Sequence, residues 1–328
     1  MTSTSAGTTS AAAAADAVPA APHRPHRGRT HRARGHAPFW QALIWLAPAL
    51  VLIGAVVVYP AIAMIQASTK TYSITGLEKG SVGTDNYRKV LDHPDLATVL
   101  VNTLVWVVAV VTITIVLGLA LAQFLSKEFF GRRVVRWALI VPWAASLVIT
   151  SRLFTLLLDY YHGIVNKVLV GLGLLDKPVD FLGDDSWVMP SMIVVGVFVS
   201  LPFTAYVFIA GLNGISHEVL EAARIDGASS WQTYRHVTLP LLRPALLVAT
   251  VLNIIYVFNS FPVVYTLNER NPGFEHDTTI TFMYKLAFKS AELDVGMSAA
   301  TGVFNVLLIL VVVVIYLKTV KWQEEPGS

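Results

Sequence analysis

Six long apolar runs constrain what this chain can fold into more than any other feature. They cover roughly Phe39–Ile65, Val99–Leu125, Trp137–Leu158, Trp187–Gly211, Ala245–Leu267 and Met297–Leu317. A helix needs about 20 apolar residues to cross the hydrocarbon layer of a bilayer, and each run has that length. Pro48, Pro60, Pro142, Pro202 and Gly118 interrupt them. Spanning helices tolerate such breakers where neighbours satisfy the freed backbone groups. Membrane barrels are excluded, because their strands are about 10 residues of alternating pattern. The reading is an all-α integral membrane protein with six transmembrane helices. Composition agrees: 55% of the 328 residues are hydrophobic and 14% charged, where a soluble chain carries about 25% charge. A net charge of +3 is too weak to mark a nucleic-acid binder. With no cysteine, disulfides, thiolate metal sites and cysteine nucleophiles are excluded.

Charge in the connections predicts the orientation. With the N-terminus cytosolic, the inner segments hold Arg24, Arg27, Arg29, Arg32, Arg34, Lys127, Arg132, Arg133, Arg136, Arg224, Arg235, Arg243, Lys318 and Lys321. The outer ones hold Lys70, Lys79, Arg88, Lys89, Lys167, Lys177, Arg270, Lys285 and Lys289. Both termini are then cytosolic. Arg152, the one charge inside a run, lies close enough to its outer end to snorkel, or faces a solute path. Residues 1–37 read as a disordered cytosolic tail, rich in Thr, Ser and Ala and then in Arg and His, with no apolar pattern to build a core. Residues 38–320 form the six-helix domain and 321–328 a short cytosolic tail.

Between the fourth and fifth runs the pattern becomes amphipathic, in residues 211–244. Ser216 can cap a short helix, with Ile215 and Leu220 placed as a hydrophobic staple. Gly227 fits a left-handed helix end. Ser229 and Gln232 form a capping box for a second helix that holds Trp231, Tyr234, Val237 and Leu239 and is predicted to close at Pro240. This helix–turn–helix lies on the cytosolic face. From physics alone it either rests on the membrane surface or docks a cytosolic partner.

The hairpin, residues 215–240, resembles the EAA motif of binding-protein-dependent ABC transporter permeases: Glu221, Ala222, Ala223, then Asp226, Gly227, Ala228, then Leu239 and Pro240. Other segments are similar to the carbohydrate-uptake, MalF/UgpA-like branch: Asn86–Leu91, Asn102-Thr103, Tyr161–Asn166 and Phe258–Asn268. The turn after Leu267 departs from that branch, reading Asn268, Glu269, Arg270, Asn271, Pro272, Gly273. The resemblance implies a type I importer permease (MetI-like) fold in a bacterial inner membrane. It implies a second, related permease chain, two copies of a cytosolic ATP-binding subunit and an extracellular solute-binding protein. It implies that the eight motif residues couple the ATPase to the spans, with ATP and Mg held by the partner ATPase and no cofactor bound by this chain. The solute implied is a sugar or polyol, with glycerol phosphate or another small polar solute as the alternative.

A solute path needs polar and aromatic side chains within the spans. The fifth run offers Asn253, Tyr256, Asn259 and Ser260, the sixth Asn305, and the third Trp143 behind Pro142. The competing reading is that these amides bond between helices and never touch solute. Residues 278–290 read as an interfacial amphipathic helix, with Ile280, Met283, Tyr284, Ala287 and Phe288 on one face and Lys285 and Lys289 on another. No phosphate-binding loop, catalytic triad or metal-ligand pattern occurs, and the runs lack the paired acids an intramembrane enzyme would need.

Overall fold

The computed structural model describes residues 39–290 and 293–319. The basic N-terminal tail and the C-terminal segment 321–328 lie outside the described residues. The chain divides after Ile53 into two units. The described part of the first is one helix, α1 (Phe39–Ile53).

The second unit opens with a π-helical turn, Gly54–Val58, and α2 (Tyr59–Ser68). A β-hairpin follows, β1 (Lys70–Tyr72) against β2 (Glu78–Ser81), antiparallel with a register irregularity at Thr71/Tyr72. Then come α3 (Asp85–Leu91), α4 (Leu96–Ser126), α5 (Arg132–Ala144), α6 (Leu147–Leu157), α7 (Ile164–Gly171) and α8 (Asp185–Asn213). The hairpin segment holds α9 (His217–Ile225), α10 (Ser230–Thr233), a π-turn at Tyr234–Thr238 and α11 (Leu239–Leu241). The chain ends in α12 (Arg243–Phe258), α13 (Phe261–Leu267), α14 (Thr279–Phe288) and α15 (Val295–Thr319).

Among the described residues, four stretches are long and apolar enough to cross a membrane: Leu43–Ser68, Leu96–Ser126, Asp185–Asn213 and Val295–Thr319. The pair Ser230–Leu241 and Arg243–Phe258, bent by 65°, makes a fifth if taken as one span. Two predicted runs are therefore not single helices. Trp137–Leu158 breaks between Ala144 and Leu147, while Pro142 lies inside α5, where it cannot donate to the carbonyl of Ala138. Ala245–Leu267 breaks at Asn259–Ser260, because Pro262 has no N–H to bond Phe258 and is suited instead to the first turn of a new helix.

The core forms where α4 and α8 run side by side in the same direction. Trp106 meets Gly196 near one end, and Gly118 meets Thr204 and Phe208 nearer the other. A Cβ on Gly196 would stand 2.5 Å from the Trp106 ring, so only glycine admits the indole. Trp106 Nε1 donates to the carbonyl of Val257 at 2.9 Å, which ties α12 to the pair. Met192, Val195, Val257 and Val264 close around it, all buried. Outward-facing Val101, Leu104, Val108, Leu307, Leu310 and Val311 are exposed. Apolar surface on that scale is what a lipid-facing helix presents.

Amides fasten the loops at the end away from α9–α11. Asn86 Nδ2 donates to the carbonyls of Ser68 at 2.9 Å and Lys70 at 2.8 Å. Asn102 Nδ2 donates to those of Glu275 at 2.6 Å and Asp277 at 3.2 Å. Asn166 donates to the carbonyl of Val179 and accepts from its N–H, at 2.9 and 3.0 Å.

Helix α14 corrects the expectation of an interfacial helix. Phe282, Lys285 and Leu286 are buried, while Phe288 on the supposed apolar face is exposed. Lys285 Nζ lies 2.8 Å from Asp277 Oδ2 and donates to the carbonyls of Asn271 and Gly273 at 3.0 and 2.6 Å. The lysine turns inward because three oxygens need a cation. Burial pushes the Asp277 carboxyl above its ordinary value, against the pull of the Lys285 ammonium.

Candidate functional site

Two regions carry functional geometry. The first is the hairpin. Ser216 Oγ accepts from the Glu218 N–H at 3.3 Å, capping α9. At its far end the Gly227 N–H donates to Arg224 and the Ala228 N–H to Ala223, both at 3.0 Å. With Gly227 at φ +80, these two bonds make a Schellman stop. The Ser229–Gln232 capping box is present.

Pro240, however, does not close the second helix. The chain stays helical to Leu241 and bends only at Leu242, which is fully buried. The π-turn explains this. Pro240 gives no N–H and would crowd the carbonyl of His236 in a regular helix, and the wider turn at Tyr234–Thr238 relieves that. The same device precedes Pro60.

Helix α9 buries none of its residues. Glu221, Ala222, Asp226 and Gly227 are exposed, and Ala223, Ala228, Leu239 and Pro240 half-buried. Ile225 is 86% and Trp231 67% exposed. A short helix with a fixed stop, a polar rim and bare apolar side chains is shaped to be covered.

The second region is an open cavity of about 330 Å³ lined by Trp143 of α5, Val199, Ser200 and Phe203 of α8, and Leu252, Asn253, Ile255 and Tyr256 of α12. It brings Tyr256 and Asn253 together with Trp143. The Asn253 amide is already used, donating to Thr204 Oγ1 and the carbonyl of Ala249, both at 2.8 Å. Tyr256 is 39% exposed. Asn259 is exposed, with its amide on the carbonyl of Ile255 at 2.8 Å. Ser260 is buried, and its hydroxyl has no partner among the described residues. Asn305 lies apart, buried, donating to the carbonyl of Thr279 at 3.3 Å. Sequence reasoning missed Ser200, a buried hydroxyl in the cavity wall without a partner among the described residues. Its only signal was a serine two residues before Pro202 in a run whose other hydroxyls are Ser191, Thr204 and Tyr206.

Toward the end remote from the hairpin, two ion pairs join α6 and its exit to the unusual turn after α13. Arg152 Nη1 meets Glu269 at 2.6 Å, and Arg270 meets Asp159 at 3.0 Å. Arg152, at the middle of α6, is thus paired. The Asp159 carboxylate accepts N–H groups of His162 and Tyr161 as well as the Arg270 guanidinium, which hold it at about 2. A depressed carboxylate contributes stability above its ordinary value of 3.8 that disappears as pH falls toward 2. Limited proteolysis at 159–163 should therefore be as slow at about pH 4 as at neutral pH. In Arg270→Gln it should quicken at the acid pH first.

Comparison with known proteins adds four findings. Residues 114–321 match the family described as binding-protein-dependent transport system inner membrane component. A probable ABC transporter permease protein of Brucella suis is 34% identical over 278 residues, which is 85% of this chain and 96% of the relative. The trehalose/maltose transport system permease protein MalF of Thermococcus litoralis is 32% identical over 249 residues, 76% of this chain and 82% of the relative. Among solved structures, a bacterial ABC transporter involved in import of the acidic polysaccharide alginate has a chain that superposes with a TM-score of 0.74 at 23% identity. The match covers 85% of this chain and 94% of that one.

Proposed function

Since the chain belongs to the family of binding-protein-dependent transport system inner membrane components, we propose that it is the permease subunit of an ATP-driven importer of a neutral sugar or oligosaccharide. The cavity carries this reading. Its walls present rings for the apolar face of a sugar, Trp143, Phe203 and Tyr256, with the Tyr256 hydroxyl at their edge, while the Ser200 hydroxyl lies buried beneath them. None of its lining residues is charged, which disfavours glycerol phosphate. The name of the Thermococcus relative points the same way.

In this reading α6 and α13 complete two further spans, giving six, with both termini cytosolic. A binding protein outside delivers the sugar. Two ATPase subunits, which hold ATP and Mg, clamp Glu221, Ala222, Ala223, Asp226, Gly227 and Ala228, while Leu239 and Pro240 carry the movement to α12 across the 65° bend. A second, related permease chain supplies the other half of the path. Asn259 and Tyr256 meet solute directly. Asn253 shapes the wall through its bond to Thr204, Asn305 ties its helix to Thr279, and Ser260 stands at the break between α12 and α13. The chain itself catalyses nothing.

The test is uptake by the reconstituted assembly with its binding protein, using labelled trehalose and maltose as first probes. Tyr256→Ala should raise the KM for uptake roughly tenfold, the size expected for losing one ring contact of about 1–2 kcal/mol, with ATPase assembly unchanged. If no sugar raises the melting temperature of the binding protein, or Tyr256→Ala leaves KM unchanged, the sugar reading fails.

A further inference from the structure

A second open cavity, of about 350 Å³, lies toward the end remote from the hairpin and has no part in the importer scheme. Helix α7 contributes Asn166 and Val170 and, beside them, Lys167 and Gly171; each pair is four residues apart and shares a side of the helix. The turn after α6 contributes Tyr160 and Tyr161, and the segment leading to α8 contributes Pro178. The two phenol rings stand at 88° with centroids 4.8 Å apart, so they make a corner and not a stack. Tyr161 is 77% exposed, which leaves most of its ring open. Neither phenol hydroxyl has a hydrogen-bond partner among the described residues, and Lys167 has no ion pair among them. None of the lining residues is acidic.

The corner is held from behind. Asn166, only 3% exposed, donates to the carbonyls of Asp159 and Tyr160, each at 3.4 Å, as well as pairing with Val179. One buried amide thus ties α7 to the tyrosine turn and to the segment that carries Pro178. The Asp159 carboxylate accepts the N–H of Tyr161 at 3.1 Å and that of His162 at 2.9 Å. The turn is also closed tightly: a Cβ on Gly163 would collide with the carbonyls of Asp159 and Leu157. Backbone fixed in this way carries two aromatic side chains whose polar ends are unused. Fixing the walls in advance lowers the ordering cost of binding.

We propose that this groove is a second saccharide site, which holds one pyranose unit against Tyr160 and Tyr161 with its hydroxyls on Lys167. A pyranose has an apolar C–H face and a polar edge; the rings suit the first, and the ammonium and phenol hydroxyls the second. The volume lies within the range of small-ligand sites, roughly 300–1,000 Å³. A site for a bare anion would gather several cations and would have no use for a ring corner. The inference rests on the sugar-importer reading above and extends it: sugar leaving the binding protein is held here, outside the cavity of Trp143 and Tyr256.

The test uses the importer assembly in nanodiscs, without its binding protein, and maltose and trehalose as probes. The chain has no cysteine, so His162→Cys places a single nitroxide label on it beside Tyr161. The His162 side chain is 89% exposed, and its backbone bond to Asp159 does not depend on it. The C–H resonances of the sugar should broaden, and Tyr161→Ala should weaken the affinity read from that broadening about tenfold, the effect of one lost ring contact. Tyr161→Phe, which keeps the ring, should retain most of the affinity. Lys167→Met should weaken it about threefold, the size of one hydrogen bond. The broadening should persist in Tyr256→Ala, which alters the other cavity alone. No broadening, with Tyr256-dependent uptake intact, overturns the groove and leaves the sugar importer standing. Broadening that ignores Tyr161→Ala, or that vanishes in Tyr256→Ala, overturns it too, because the sugar then lies elsewhere. So does an unchanged sugar affinity in Tyr161→Ala combined with a raised requirement for binding protein, which makes the groove a protein contact. Absence of both uptake and broadening removes the sugar reading and this site with it.

Discussion

Replacing Gly227 by valine should cut sugar uptake at least tenfold while the ATPase subunits still copurify with the chain. The reason is conformational rather than steric. A Cβ at this position meets nothing within 4 Å, so a side chain has room. What it lacks is an allowed backbone: the residue stands at φ +80, where a non-glycine residue costs about 1–2 kcal/mol and a β-branched one more. The Schellman bonds from Gly227 to Arg224 and Ala228 to Ala223 depend on that conformation. Without them α9 frays or runs on, and its angle to α10 changes. In the proposed scheme that angle transmits the ATPase stroke, so hydrolysis should continue without transport. Asparagine tolerates the left-handed region, and Gly227→Asn should keep most of the uptake. Paired measurements of uptake and ATPase rate in the two variants decide the matter. Equal losses in both variants would show that side-chain size matters there, and full uptake in the valine variant would remove the hairpin from the coupling path.

The second large effect is on stability. Lys285→Met leaves the Asp277 carboxylate buried without its cation, a loss of about 3–5 kcal/mol for a broken buried pair. It also strips the carbonyls of Asn271 and Gly273 of their donor. The purified chain should melt well below the wild type, with the loop 268–278 the first segment to gain hydrogen exchange. Combining it with Asp277→Asn should recover a large part of the loss, since the neutral amide can keep its bond with Asn268 by turning its nitrogen toward the remaining acceptors. A double variant no more stable than the single would mean that the lysine acts through the carbonyls and not through the acid.

Much of this was legible in the sequence, and the exceptions share a cause. The caps and the turn of the hairpin were readable because their determinants are local: Ser216, Gly227, Ser229 and Gln232 each act within four residues. The apolar runs were readable because bilayer thickness imposes their length. What hydropathy could not show was where a run breaks: Pro262 interrupts hydrogen bonding without lowering apolarity, and the break after Ala144 falls in equally apolar sequence. Nor could it show that Pro240 lies inside a helix, because the π-turn that admits it leaves no compositional trace. Lys285 misled for a related reason. Its charge suggested a wet face, and only the fold places Asp277 and two carbonyls beneath it. In the cavity, Tyr256 and Trp143 stood out as aromatic side chains near polar ones, but Ser200 and Phe203 become wall residues only once α8 lies against α12.

The asparagines that pin the loops at the end remote from the hairpin have one property in common: Asn86, Asn102 and Asn166 all grip main-chain atoms, of Ser68 and Lys70, of Glu275 and Asp277, and of Val179. A carbonyl is the same whatever side chain stands beside it. Each loop is thus held by a fastener that ignores the identity of what it fastens. Only the three amides need be kept, and the residues they hold are free to drift. Such a rim can be rewritten on its outward side for a new delivery protein while its path over the membrane stays as it was.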